Sequence, residues 1–265
     1  MTATIPVLEA DPSALAPIPL SRLVQVELRK LVDTRAGRWL GIIQALLIAA
    51  ASTILVIVMA VRDDPVSLMD FFSIAGFVMS VLLPVMGILA ITTEWTQRTH
   101  MATFTLEPRR GRVIAAKCGA AVIAALVSIA VAVVVAVVSS GLASLIGVSV
   151  DWHFDADMMA GFALAQILGV LTGFALGALI LATPAAIVAF FAYAFVLPTL
   201  FMIGADQLSW FESIQPWIDL GDAQMPLTET GLTAANGAHL LTAAALWLGI
   251  PLVLGIRRIR RSEIK

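Results

Sequence analysis

The residues that chemistry would need are few in this chain. Among its 265 residues, 13% are charged, three are His and one is Cys. The single Cys118 excludes an internal disulfide and any cysteine metal cluster. Ser139 and Ser140 precede a glycine, but the middle of no apolar run holds a His to activate a serine nucleophile. We therefore predict no catalytic residue.

Two further kinds of site are disfavoured. Neither H-E-x-x-H nor G-x-x-x-x-G-K-[ST] occurs, so the sequence has no metalloprotease motif and no phosphate-binding loop for ATP. Residues 151–157, DWHFDAD, contain one His among carboxylates, a pattern more typical of a solvated loop than of a metal site. We expect no metal site and no cofactor in this chain, so any ATP and Mg would be bound by a partner subunit.

The composition predicts an all-α polytopic membrane protein. Hydrophobic residues make up 60% of the chain, and its mean hydropathy is +0.98. A helix needs about 20 apolar residues to cross the hydrocarbon core. Six runs meet or approach that length, namely 39–61, 71–93, 113–138, 158–181, 185–205 and 239–256. Proline interrupts three runs, at Pro84, Pro198 and Pro251, and predicts kinks there; Pro184 predicts a tight turn between the fourth and fifth.

The basic residues predict the orientation of the six spans. If the spans alternate, 15 of the 16 Lys and Arg residues fall on one side, and only Arg62 falls on the other. Lys and Arg favour the cytoplasmic side. We therefore expect both termini in the cytoplasm of a bacterial cell, with the protein in the plasma membrane. Residues 1–19 resemble no signal peptide and are predicted to be a disordered cytoplasmic tail, and residues 257–265 a basic cytoplasmic tail.

An amphipathic helix is predicted before the first span, at residues 20–38. Leu20, Leu23, Val24, Leu28, Leu31 and Val32 recur at helical spacing. Pro19 or Ser21 can start this helix and Gly37 can end it. A basic amphipathic helix should lie in the cytoplasmic headgroup layer, where it is either a simple membrane anchor or a docking element.

The cytoplasmic loop at residues 94–112 is the most basic internal segment. Topology alone would account for its charges, but not for its length. Glu94 and Arg98 have the spacing of a helical ion pair, and Pro108 ends any helix before it. We predict a short helix that lies across the membrane face.

The middles of the six spans lack charged residues, which disfavours ion-coupled transporters, pumps and voltage sensors. Glu94 and Lys117 are expected at the cytoplasmic ends, within reach of the interface. In the fourth span, small residues recur every four positions and predict close helix packing. These residues are Gly161, Ala165, Gly169, Gly173 and Gly177.

The last outer loop, residues 206–238, is long and carries Trp210, Phe211 and Trp217 beside acidic residues. Aromatic side chains of this kind favour the membrane interface. We predict short helices in the outer leaflet before the last span.

Together, the entry helix with ELRKLVDTR, the six spans, the loop TEWTQRTHMATFTLEPRRGRVIAAK and the long outer loop resemble the membrane subunits of the type-two ATP-binding cassette exporters. This resemblance implies that the first cytoplasmic loop docks as a coupling helix on an ATPase subunit. The implied docking residues are Glu94, Arg98, Thr99, Met101, Phe104, Glu107, Arg109 and Arg110, with Arg98 in polar contacts and Met101 or Phe104 in a groove. The implied connecting helix carries Glu27, Arg29, Lys30 and Arg35, and the implied outer cap contains Trp210, Phe211 and Trp217.

The resemblance also implies partners. These are a separate ATPase subunit in two copies, a second six-span subunit that is identical or related, and membrane lipids, with no nucleic acid. The charge-free spans favour an amphiphilic or hydrophobic cargo, such as a drug, a peptide antibiotic or a lipid. Two alternatives stay open: a scaffold or regulatory protein that transports nothing, and an intramembrane enzyme.

Overall fold

The computed structural model of the chain describes residues 18–97, 99, 107, 109–228 and 233–261, and most of them are helical. In chain order the helices are α1 (Leu20–Asp33), α2 (Arg35–Arg62), α3 (Leu68–Thr96), α4 (Arg110–Leu145), α5 (Ala156–Ile180), α6 (Thr183–Gln207), α7 (Ser209–Glu212), α8 (Gln215–Ile218), α9 (Leu220–Gln224) and α10 (Ala234–Arg261). Within the described residues, six helices are long and apolar enough to cross a membrane, namely α2 to α6 and α10. The prediction of an all-α multi-pass membrane protein is confirmed at this level.

The six long helices run alternately up and down. One end of the bundle, here called the basic end, holds α1, the starts of α2, α4 and α6 and the ends of α3, α5 and α10. The opposite, acidic end holds α7 to α9 and a two-residue parallel pairing of β1 (Val66–Ser67) with β2 (Val150–Asp151). In α3 and in α5, half of the most apolar 18-residue stretch is buried, whereas in α6 only 11% of the corresponding stretch is buried. The core is therefore built around α3 and α5, whereas α6 lies at the periphery.

The helical conformation is interrupted between α1 and α2, at Thr34. Its backbone is extended, with φ −70° and ψ 139°, and its hydroxyl oxygen accepts a hydrogen bond from the Gly37 N–H at 3.2 Å. The expected continuous helix over residues 20–38, ended by Gly37, was therefore wrong, because the helix ends at Asp33. Gly37 lies instead in the first turn of α2, where a Cβ would be 1.9 Å from the Leu31 carbonyl oxygen. It permits a close approach and does not end a helix.

Small residues let α3 and α5 approach each other closely. A Cβ on Gly173 would lie 2.1 Å from the carbonyl oxygen of Pro84. A Cβ on Gly177 would lie 2.7 Å from Cγ2 of Ile91. Side chains at these two positions would force the helices apart, since real Cβ atoms do not come this close to other atoms.

The other small residues of α5 have different neighbours. A Cβ on Gly161 would lie 1.7 Å from the carbonyl oxygen of Leu227, in the segment before α10. At Gly169 the nearest atom would be Cγ of Pro84, at an ordinary 3.7 Å. Ala165 and Gly169 both line a cavity. The five small residues thus serve three environments along one helix.

Proline changes the hydrogen bonding of two spans. Pro198 and Pro251 each follow a π-helical segment, Ala192–Val196 in α6 and Ala245–Gly249 in α10. In both segments the N–H of the residue before the proline bonds to a carbonyl five residues back. The wider turn makes room for the proline ring, which would otherwise clash with a carbonyl of the preceding turn. Pro84, in contrast, lies inside α3 without such a segment.

The tight turn predicted between the fourth and fifth spans is present. Leu181 takes a left-handed conformation, with φ 59°, and α6 begins at Thr183. The Thr183 hydroxyl lies 2.8 Å from that of Thr92 and 3.0 Å from that of Thr96. These contacts hold the turn against the end of α3.

The helix that contains the last span is longer than the predicted span. It runs over Ala234–Arg261 instead of 239–256, so the first residues of the predicted basic tail, 257–261, continue this helix. The predicted tail at residues 1–19, apart from residues 18 and 19, lies outside the described residues, as do residues 262–265. The short helix predicted in the 94–112 loop also falls largely outside them, since α3 continues through Thr96 and residues 98, 100–106 and 108 are not described.

Candidate functional site

Helix α1 packs on the bundle at the basic end through its apolar face. Leu31 is buried in the main core, and Leu28 packs against that core. A Cβ on Gly119 of α4 would lie 3.3 Å from the Val24 side chain, so the two helices are in close contact. Glu27 lies on this same face, one turn before Leu31, and is 7% exposed. An acidic group in this position needs a cationic partner.

Glu27 has such partners in a closed ring of four charges, here called the ion-pair ring. The Lys30 ammonium donates to Glu27 Oε1 at 2.7 Å and to Glu94 Oε1 at 2.8 Å. The Lys117 ammonium donates to Glu27 Oε2 at 2.6 Å and lies 3.1 Å from Glu94 Oε1. Each carboxylate therefore contacts both ammonium groups, and the ring has no net charge.

The members of the ring differ in their exposure to solvent. The side chains of Lys117, Glu27 and Glu94 are 5%, 8% and 11% exposed, whereas that of Lys30 is 41% exposed. Partial burial lowers the pKa of Lys30, but the hydrogen bonds and charges of Glu27 and Glu94 outweigh this effect, so its pKa is raised above 10.5. Lys30 is therefore charged at neutral pH.

The ring joins three helices at one level. Glu27 and Lys30 belong to α1, Glu94 lies in the last turn of α3, and Lys117 lies in the second turn of α4. The end of α3 and the start of α4 are the two flanks of the loop between them. Separating the partners of a buried ion pair leaves an uncompensated charge and strongly destabilises the protein. The ring therefore resists separation of α1 from either flank of the loop.

Further hydrogen bonds tie the loop's second flank to its neighbours. The guanidinium of Arg110 donates to the Ile259 carbonyl at 2.7 Å, near the end of α10. That of Arg112 donates to the carbonyl of Ile18, just before α1. The start of α4 is thus held from two sides in addition to the ring.

A cavity of about 250 Å³ lies beside the ring, between α1 and the end of α3. All four ring residues line it, together with Thr34, Thr93, Gln97 and Thr99. Its position next to the loop means that movement of the loop would change the space around the ring.

The implied docking residues occupy different environments. The Glu94 carboxylate accepts from Lys30 and Lys117 and belongs to the ring. The Thr99 N–H donates to the Glu94 carbonyl at 2.9 Å and continues the end of α3. Glu107 is buried, and its carboxylate accepts from the Arg109 N–H at 3.3 Å.

The remaining implied docking residues divide between the surface and the part of the chain not described. Arg98, Met101 and Phe104 lie outside the described residues, so the predicted pair of Glu94 with Arg98 stays a prediction. Arg109 is exposed, as are Arg29 and Arg35 of the implied connecting helix. These exposed arginines lie at the basic end of the bundle, where α1 and the start of α4 are found.

The implied outer cap lies at the acidic end. Trp210 is 61% exposed, and its ring meets that of Phe211 at 5.7 Å between centroids. Phe211 in turn contacts Phe201 of α6, at 5.8 Å. The Trp217 ring lies 4.4 Å from that of His239 at the start of α10. The aromatic side chains thus connect the short helices to the last two spans.

In the acidic segment 151–157, two carboxylates accept hydrogen bonds from nearby backbone N–H groups. Asp151 Oδ1 accepts from the His153 N–H at 2.9 Å. Asp155 Oδ1 accepts from the N–H groups of Asp157 and Met158 and caps the start of α5. Among the described residues, no group of three His, Cys, Asp or Glu side chains is placed to hold a metal ion.

No protein-family model matches this chain, and no curated protein is significantly similar to it in sequence. Function has to be inferred from the geometry of the site.

Sequence reasoning missed the ring, although two signals for it were present. Lys117 was expected to reach the membrane interface, but it is buried against Glu27. Glu27 falls among the apolar positions of α1, between Val24 and Leu31, where a carboxylate is costly without a partner. A buried acid on one helix and a lysine inside an apolar run of another together indicate an ion pair.

Proposed function

We propose that this chain is the membrane subunit of an ATP-driven exporter that works with a separate ATPase subunit. The proposal starts from the sequence resemblance to the type-two ATP-binding cassette exporters. The observation that carries it furthest is the ion-pair ring, because it links the entry helix to both flanks of the basic loop. A subunit moved by an external ATPase needs such a connection between the docking segment and the spans.

The ring supports this function through its mechanical consequence. A force on the loop would act on the end of α3 and the start of α4 together, because Glu94 and Lys117 are in contact at 3.1 Å. It would also act on α1 through Glu27 and Lys30. Since α3 and α5 form the centre of the bundle, movement of α3 would reach the core directly.

The charge distribution supports docking at the same place. Arg29, Arg35 and Arg109 are exposed at the basic end of the bundle, in or beside α1 and the start of α4. In this proposal the basic end faces the cytoplasm, as the excess of Lys and Arg there favours. Helix α1 lies at the cytoplasmic headgroup layer with lipids around it, and the short helices before α10 lie at the outer leaflet.

A second six-span subunit, identical or related, completes the proposed transport unit. Helix α6 is the least buried of the long helices and exposes large apolar side chains, including Val188 (68%), Leu200 (56%) and Met202 (63%). Such a face is suited to a partner helix as well as to lipid. The pathway would lie between the subunits and carry an amphiphilic or hydrophobic cargo, because the described spans offer few charged groups to a hydrophilic ion.

The test is purification of the tagged protein from its native host in a mild detergent. We expect a soluble P-loop ATPase to accompany it in stoichiometric amount and to hydrolyse ATP. Arg98→Glu and Phe104→Ala, each made separately, should remove this subunit while the six-span protein still inserts into the membrane. Arg62→Glu makes the same charge change at the opposite end of the bundle and should leave the complex intact.

The outcomes separate the candidate functions. An ATPase that is retained in both loop variants would contradict docking at this loop. Absence of any ATPase across several detergents would contradict the transporter proposal and favour a scaffold. Enzymatic activity in the purified chain without ATP would favour an intramembrane enzyme.

A further inference from the structure

A second cavity, of about 240 Å³, lies among α3, α5, α6, α9 and α10, away from the ion-pair ring. Its volume equals that of about eight water molecules, which suits a small ligand better than a whole lipid. Its walls combine polar and aromatic side chains. The polar or amphipathic ones include Ser80, Gln166, Tyr193, Asp219, Gln224 and Trp247.

Asp219 is the charged group in this lining, and it is only 5% exposed. Its Oδ1 accepts hydrogen bonds from the N–H groups of Gly221 at 2.9 Å and Asp222 at 3.3 Å, which cap α9. Its Oδ2 has neither a hydrogen bond nor an ion pair within the described part of the chain. Oδ2 is not among the fully enclosed side-chain atoms and reaches the cavity, where a cation would offset the cost of burying the rest of the carboxylate.

The sequence around Asp219 offers no basic residue as its partner. Between Lys117 and Arg257 the chain has no Lys or Arg at all. The nearby titratable groups are Tyr193, Asp222 and His239. Burial and the charge of Asp219 raise the pKa of Asp222, against the opposing effect of His239. The surroundings of the cavity are therefore short of positive charge.

Aromatic rings are held beside this carboxylate. The Tyr193 and Trp247 rings lie 4.8 Å apart between centroids, and both line the cavity. The indole N–H of Trp247 donates to the carbonyl of Ile218 at 2.7 Å, which fixes the ring next to the residue that precedes Asp219. Phe190 forms another part of the wall. Aromatic faces attract cations, most strongly where water is excluded.

We propose that this cavity binds an organic cation, with the Asp219 carboxylate as its counter-ion and Tyr193 and Trp247 as aromatic walls. This site goes beyond the proposed transport function, because cation binding here requires neither an ATPase nor a second subunit. The chemistry that the site would recognise is a quaternary or protonated nitrogen beside apolar groups.

Equilibrium dialysis with benzyltrimethylammonium tests the site, using the full chain in nanodiscs of zwitterionic lipid and empty nanodiscs as the blank. Phenylmethanesulfonate has the same benzyl group with the opposite charge and serves as the ligand control. Asp219→Asn is the informative variant, because Asn retains the helix cap and removes only the charge. Asp222→Asn is the matched control, since this neighbouring carboxylate lies outside the cavity lining.

We expect one saturable site per chain for the cation and none for the sulfonate. Asp219→Asn should weaken cation binding by at least about tenfold, and Asp222→Asn should change it by less than about threefold. Unfolding temperatures of the variants, measured in the same nanodiscs, check that each is folded. Equal cation affinity in the wild type and Asp219→Asn, equal binding of the sulfonate, or no saturable cation binding to the wild type would each overturn the proposal. None of these results depends on an ATPase, so the transport proposal would stand.

Discussion

Replacing Lys117 by methionine removes the most buried charge of the ion-pair ring and nearly preserves the size of the side chain. Lys117 contacts Glu27 Oε2 at 2.6 Å and Glu94 Oε1 at 3.1 Å. Removing one partner of a buried ion pair costs about 3–5 kcal/mol. Lys30 still contacts both carboxylates in the variant. We therefore expect the lower part of this range, about 3 kcal/mol of unfolding free energy.

Lys30→Met is the matched control for this experiment. It removes the same kind of side chain from the same two carboxylates, but from a position that is 41% exposed. Water can replace an exposed ammonium, and exposed ion pairs contribute only about 0–1 kcal/mol. The comparison separates the effect of burial from the effect of charge number.

Thermal unfolding in one detergent, followed by the loss of helical circular dichroism, measures both variants. One kcal/mol corresponds to a shift of about 2–4 °C for a chain of this size. Lys117→Met should therefore unfold about 6–12 °C below the wild type, and Lys30→Met no more than about 4 °C below it. If Lys117→Met does not fold, the double variant Glu27→Gln with Lys117→Met supplies the measurement, because it also removes one of the two buried acids that lost their cation.

Equal shifts in the two single variants would refute the argument from burial. No shift in Lys117→Met would refute the ring as a stabilising element. With the single variant Glu27→Gln measured as well, a double variant whose cost equals the sum of the two single costs would show that Glu27 and Lys117 are not energetically coupled.

Two further predictions concern helix packing and pH. Gly173→Ala should destabilise the protein by about 1–3 kcal/mol, because the new Cβ would lie 2.1 Å from a backbone oxygen of α3. Gly169→Ala, whose Cβ would have its nearest neighbour at 3.7 Å, should cost less than about 1 kcal/mol in the same unfolding assay, and equal costs would contradict this view of the α3–α5 contact. Because the folded state raises the pKa of Lys30 above 10.5, its stabilising effect should be fully present below pH 10.5 and lost as the pH rises through the raised pKa. Unfolding temperatures of the wild type should then fall towards those of Lys30→Met in this range, and parallel pH profiles would rule out the predicted linkage.

The six spans could be predicted from the sequence because hydropathy over about 20 residues depends only on local composition. The turn at Pro184 was predictable for a similar reason, since proline acts on its own neighbours. The interruption of the helix at Thr34 was not predictable. Glycine commonly ends a helix, but the role of Gly37 depends on its close approach to the Leu31 carbonyl.

Local patterns indicate that Glu27 and Lys117 need partners, but they do not specify the four-membered ring. The spacing of Glu94 and Arg98 predicts a pair within one helix, but the Glu94 carboxylate contacts Lys30, 64 residues earlier in the chain. That contact follows from the packing of α1 across α3 and α4, which no periodicity specifies. The cavity at Asp219 depends in the same way on short helices returning to the bundle.

The π-helical segments of α6 and α10 each accommodate one residue more than an α-helix of the same length would. Everything after such a segment is rotated by about 100° relative to an uninterrupted helix, since an α-helix turns once in 3.6 residues. Both segments end two residues before a proline, and their Tyr193 and Trp247 rings meet at 4.8 Å. In evolutionary terms, each is equivalent to the insertion of a single codon. A related chain without these insertions would align with this one only across a gap of one residue in each of the last two spans.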